Sequence, residues 1–146
     1  MTRLLTLSVL TLALVSTHVE AASKRLRVIG QVSQQTFTGD LANPKLGDQL
    51  ISNAELFDEH DNDAGTGTGA CTIVSVPPLD TLLQCVLVAV LTKGQLIFGG
   101  VAPLPAAGVV AHFGIFGGTD DFRKARGDVT FTVITPMIMD AIFEIE

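Results

Sequence analysis

Residues 86–91 read Val-Leu-Val-Ala-Val-Leu, an unbroken apolar run that makes both faces of a strand hydrophobic. Successive side chains of a strand point to opposite sides. A sheet with one solvated face would alternate apolar and polar residues instead. Here Val86, Val88 and Val90 fall on one side and Leu87, Ala89 and Leu91 on the other. A closed barrel covers one side with its own core, and neighbouring subunits are the simplest cover for the other. The run therefore predicts a barrel that assembles as a homo-oligomer, a trimer or a dimer.

The remainder of the chain follows the same pattern. No segment after Ala21 keeps apolar residues at i, i+3, i+4 and i+7 between helix caps. β-Branched and apolar runs alternate instead with Gly, Pro, Asn and Asp punctuation. Strands are expected at Leu26–Gln35, Gln49–Glu59, Gly69–Val76, Leu82–Leu91, Gln95–Val101, Val109–Phe116, Asp128–Ile134 and Met137–Ile145. One short helical turn is expected at Asp120–Lys124. Short connections such as Thr92-Lys93-Gly94 imply antiparallel neighbours. The predicted fold is all-β, an eight-stranded antiparallel up-and-down barrel. A transmembrane barrel would carry aromatic girdles, and the chain has no Trp and no Tyr.

Met1–Ala21 reads as a secretory signal peptide, with Arg3 as the positive start and Val19-Glu20-Ala21 as the cleavage site. Its apolar core, Leu4–Val15, is shorter than the roughly 20 residues of a spanning helix, so no membrane span is expected. The working domain is then residues 22–146, secreted to the extracellular space. Cleavage removes one Arg and one Glu, so the net charge of −6 is unchanged. That sign is wrong for a phosphate-backbone binder, and no basic run is present, which excludes nucleic acid as a partner.

In an oxidising compartment the two cysteines read as a disulfide. Cys71 and Cys85 flank Pro77-Pro78-Leu79-Asp80, a turn between two β-rich runs. Pro78 stands midway, so the two cysteines would face each other across the hairpin at about 4.5 Å between Cα atoms.

Few motifs suggest chemistry. Gly65-Thr-Gly67-Thr-Gly69 lacks the helix that a phosphate loop requires and reads as the start of a strand near a barrel mouth. Asp58-Glu59-His60-Asp61-Asn62-Asp63 fails as a calcium loop, because Thr72 stands where the closing Glu belongs. It reads as a solvated acidic loop, and no metal site or cofactor is implied. No catalytic relay is suggested by spacing. Polar residues within or beside apolar strands are the better candidates for a ligand cavity: Glu55, Gln84, His112 and Arg126.

Residues 116–129, Phe-Gly-Gly-Thr-Asp-Asp-Phe-Arg-Lys-Ala-Arg-Gly-Asp-Val, resemble a signature of the allene oxide cyclase and dirigent barrels. Leu46-Gly47-Asp48 followed by Leu56-Phe57-Asp58 is similar to the cyclase pattern, as are Gly67-x-Gly69-x-Cys71 and Gly94-Gln95-Leu96-Ile97-x-Gly99. The resemblance spans Leu46–Val133 and implies an eight-stranded barrel, commonly trimeric, with an apolar cavity. The plant cyclases carry a Glu and an Asn on the first strand, where this chain has Val28-Ile29-Gly30-Gln31-Val32-Ser33. A further Asn is replaced by Ala54, and the cavity Tyr has no counterpart. Dirigent proteins use Asp and Arg near the cavity, for which Asp48, Asp58 and Arg126 are the nearest equivalents.

The resulting expectation is a secreted barrel that binds a small apolar or phenolic molecule. Any activity would be isomerase- or cyclase-like, steering a cyclisation or coupling of an already reactive substrate by position. The alternative is a non-enzymatic structural or interaction module. A lumen of a few hundred Å³ with an ionisable group favours the first; one filled by Phe57, Phe98, Phe113 and Phe131 favours the second.

Overall fold

A computed structural model describes residues 22–146. The signal-peptide reading of Met1–Ala21 lies outside the described residues. Eight strands run in sequence: β1 (Lys24–Phe37), β2 (Gln49–Phe57), β3 (Asp63–Ser75), β4 (Leu82–Leu91), β5 (Gly94–Pro103), β6 (Val110–Gly118), β7 (Gly127–Thr135) and β8 (Ile138–Ile145). Each pairs antiparallel with its chain neighbour, and β8 pairs back onto β1 to close the barrel. The up-and-down barrel expected from the strand pattern is the fold. Asp120–Phe122 forms the single helical turn among the described residues, of 3-10 type.

Inward positions alternate along every strand. Val28, Leu56, Ile73, Leu83, Leu96, Val129 and Phe143 belong to one apolar cluster, and Leu96, Val129 and Phe143 have no exposed surface. Dispersion and dehydration at these positions supply most of the cohesion of such a core. Phe98 sits edge-on to Phe143 at 5.0 Å between ring centres, and tilted pairs link Phe98 to Phe113 and Phe113 to Phe131.

β3 begins at Asp63, six residues before the expected Gly69. Glycine is a poor strand former by itself, but here both neighbours hold it. Ala54 and Ala89 flank Gly67, and Ser52 and Leu87 flank Gly69, in antiparallel register. The two glycines therefore stand within the wall rather than at its rim.

The two ends of the barrel differ. One end carries the β2–β3, β4–β5 and β6–β7 connections and is charged, with Asp58–Asp63, Lys93, Asp120 and Asp121. The 3-10 turn buries Phe122 there, and Thr119 Oγ1 accepts a hydrogen bond from the Gln95 amide at 3.0 Å. The other end carries the β1–β2, β3–β4, β5–β6 and β7–β8 connections and holds all six prolines of the chain.

Candidate functional site

Small residues face large ones across the lumen. Gly30, Ala54, Gly67 and Gly69 line it from β1, β2 and β3, whereas Phe98, Phe131 and Phe143 project from β5, β7 and β8. The missing side chains leave room. A Cβ on Gly69 would lie 2.5 Å from Leu87 Cδ2, and one on Gly67 would lie 3.4 Å from Leu56 Cδ2. Leu87 and Leu56, both lining the inner half, pack into the space that a methyl there would fill.

That cavity has two halves. The inner half, of about 60 Å³, is bounded by Val28, Gly30, Ala54, Gly67 and Phe143 among others. The outer half, of about 70 Å³, lies toward the proline end between Gln35, Leu50, Pro105, Val109 and Pro136. Ser52, Leu87, Phe131 and Met139 border both. Of these four, Met139 has the flexible, unbranched side chain that adapts most readily to a guest.

Among the described residues no Asp, Glu, Lys, Arg or His lines either half. The polar groups are the Ser52 hydroxyl, Thr68 beside the inner half and Gln35 at the outer one. Such a site can bind an apolar molecule by exclusion of water and orient it through one or two hydrogen bonds. A lumen of a few hundred Å³ with an ionisable group would favour a ligand-steering barrel over a structural module; the lumen here is smaller, with no ionisable group among the described lining residues. Phe98, Phe113 and Phe131 occupy part of it, as an inward aromatic chain must, while Phe57 borders neither half.

The six polar candidates lie elsewhere. Glu55, Gln84 and His112 are exposed on the outer wall, because Ala54 and Leu56, Leu83 and Cys85, and Ala111 and Phe113 face inward on either side of them. Asp48 lies in the β1–β2 connection, where its Oδ2 accepts from the Lys45 amide at 2.8 Å and its carbonyl accepts from the Ile73 amide at 2.8 Å. Asp58 braces the β2–β3 turn, accepting from the His60 amide at 2.8 Å and from Asn62 Nδ2 at 3.0 Å. The Asn62 side-chain hydrogen bond, with the amides of Asn62 and His60, holds this carboxyl below its ordinary pKa. Arg126 is exposed just before β7 and donates from Nη1 to the Ala125 carbonyl at 2.7 Å. The barrel brings none of the six together.

Cys71 and Cys85 do meet. They are opposite partners of β3 and β4, joined by a disulfide with Cα atoms 4.0 Å apart, and both border the outer half of the cavity. Gln35, Ser52 and Met139 also border the cavity but were not singled out by the sequence. Their signal is weak: each is one residue in an ordinary strand pattern. The small residues at matched register positions of β2 and β3 are the stronger clue, since Ala54 pairs with Gly67 and Ser52 with Gly69.

Among the described residues no group of acidic, Cys or His side chains could hold a metal ion, and no helix is long and apolar enough to cross a membrane.

The barrel is similar to several solved structures. One is a pyocyanin demethylase, with a TM-score of 0.74 and 21% identity over 84% of this chain and 100% of that one. Another is AbnU, described as an exo-specific intermolecular Diels-Alderase, with a TM-score of 0.73 and 18% identity over 86% of this chain and 98% of that one. A third is the Diels Alderase AbmU from Streptomyces koyangensis, with a TM-score of 0.65 and 15% identity over 82% of this chain and 64% of that one. At these identities the likeness is one of fold. No curated protein sequence matches the chain. The allene oxide cyclase barrel like domain matches residues 28–140, from β1 into β8. On that match and this closed barrel, the chain belongs to the allene oxide cyclase barrel-like family.

Proposed function

We propose that the barrel binds a small, uncharged, apolar molecule in the lumen, entering from the proline end. The observation that carries this reading is the apolar cavity in two halves, with Ser52, Leu87, Phe131 and Met139 bordering both. Together the halves approach the roughly 150 Å³ at which a dry apolar cavity holds a benzene-sized guest. A rotamer change at Met139 would join them for a longer or planar ligand, a phenolic ring included, with Ser52 or Gln35 offering a hydrogen bond.

With no ionisable lining among the described residues, chemistry in this lumen would come from holding a reactive substrate in a closing geometry. Cyclisation or coupling, as in cyclase- and dirigent-type barrels, fits that restriction, and acid–base catalysis does not. The cycloaddition named for two of the similar structures supports this class of reaction.

Secretion accompanies this reading through the leader-like residues 1–21. Assembly as a dimer or trimer is supported by the outer wall, where Val86 is 50% and Phe116 is 53% exposed and Val88 pairs with Ile97 on the same face.

The test is titration with benzene, indole and simple phenols, read from the Met139 methyl signal by NMR and from Tm. Saturable shifts at Met139 with a rising Tm are expected. Absence of any shift would overturn the reading. It would favour the second one, a structural module, for which the Phe98, Phe113 and Phe131 chain within the lumen is the supporting observation.

A further inference from the structure

The exposed apolar residues of this barrel are not spread evenly along its axis. At the proline end, Leu41 is 55% exposed, Leu46 64%, Leu79 72% and Met137 48%. They project from three of the four connections there: β1–β2, β3–β4 and β7–β8. The fourth, between β5 and β6, contributes Pro105, Ala106 and Ala107. Just below the tips, Val74, Val101, Val110, Ile134 and Ile138 point outward from the adjoining strand ends, each at least 37% exposed. The connections at the charged end carry no exposed large apolar residue. Toward the charged end Val90, at 38%, and Phe116, at 53%, are exposed on β4 and β6, so the exposed apolar surface is weighted toward the proline end.

The tips are held in braced turns. Asp40 Oδ1 accepts from the Ala42 amide at 2.9 Å, Asp48 Oδ2 from the Lys45 amide at 2.8 Å, and Thr135 Oγ1 from the Met137 amide at 3.2 Å. Apolar side chains presented on fixed turns lose little conformational freedom when they are covered. They surround the end where the outer half of the cavity lies, between Pro105, Val109 and Pro136.

We propose that the proline end docks onto an uncharged lipid surface, with Leu41, Leu46, Leu79 and Met137 entering the interface. Single apolar tips set around an opening suit a fluid surface that conforms to them, and apolar area drives this kind of attachment. Charge selects the lipid. The connections at this end carry Asp40, Asp48 and Asp80 against Lys45 alone, and the chain carries −6 overall. Anionic headgroups would repel it, so zwitterionic headgroups are the match. The docking goes beyond the ligand reading and stands or falls without it, since the test contains no lumen ligand.

The experiment is flotation of residues 22–146, which contain the whole closed barrel, with vesicles of pure phosphatidylcholine. The protein is expected to float with them, and to float less when phosphatidylserine is added at low salt. The variant L46S/L79S/M137S is expected to lose vesicle binding by about tenfold or more, with its Tm unchanged because all three side chains are exposed. F116S, an equally exposed substitution away from this end, is expected to bind as the parent does. Failure of the parent protein to float overturns the proposal, as does equal binding by the triple variant. So does light scattering in which the triple substitution merely dissociates an oligomer, which would assign the tips to a second copy of the chain.

Discussion

Cys71 and Cys85 stand directly opposite each other on β3 and β4, joined through their sulfurs and facing the outer half of the cavity. The pair therefore closes the β3–β4 hairpin and also forms part of the ligand wall.

Removing the bond with C71A/C85A is expected to destabilise the barrel by about 3 kcal/mol, the chain-entropy value for a loop of this length. The sequence separation is 14 residues. Calorimetry should record a Tm lower by about 10 °C for a domain of this size. An unchanged Tm would mean that the wall does not depend on the link.

Met139 borders both halves of the lumen, so M139A is expected to merge them. The expected cost is about 2 kcal/mol, at the low end for a core truncation because the side chain is half-buried. Affinity for a bicyclic guest such as naphthalene should rise while that for benzene changes little. Equal affinities for both guests in parent and variant would show that Met139 is not the partition.

His112 and Phe143 are the informative contrast. H112A lies on the outer wall and is expected to leave stability within about 0.5 kcal/mol and guest binding unaltered. F143A removes a ring with no exposed surface, and should cost about 3–5 kcal/mol. A loss of guest binding in H112A with the fold intact would move the site to the outer wall.

Asp58 supplies a pH signature. Its folded pKa lies below the ordinary 3.8, first through the Asn62 side chain. A carboxyl depressed on folding contributes stability that is fully present above 3.8 and is lost as pH falls through the folded value. The Tm gap between the parent protein and D58A should therefore be open at neutral pH and close on acidification below that range. A gap independent of pH would show that the turn does not use the charge.

Much of the barrel could be read from the residues. The bounds of β4, Leu82–Leu91, emerge unchanged from an apolar run between a proline turn and Thr92-Lys93. β3 was read short, because the Gly-Thr alternation has no propensity of its own and is a strand through its partners on both sides. The site was less legible. The strand pattern points to polar residues inside apolar strands as cavity candidates, yet Glu55, Gln84 and His112 face outward. Where both faces of a strand are apolar, period-two alternation does not say which face is inside.

Strand number, turn positions, antiparallel order and the cysteine partnership were determined by the sequence alone, because each depends on residues close together in the chain. The inward parity, the small-residue wall opposite Phe98, Phe131 and Phe143, and the contrast between the two ends were decided only when β8 closed onto β1. That closure joins Lys24 to Ile145. It sets the facing of every strand at once, through contacts that no local pattern carries.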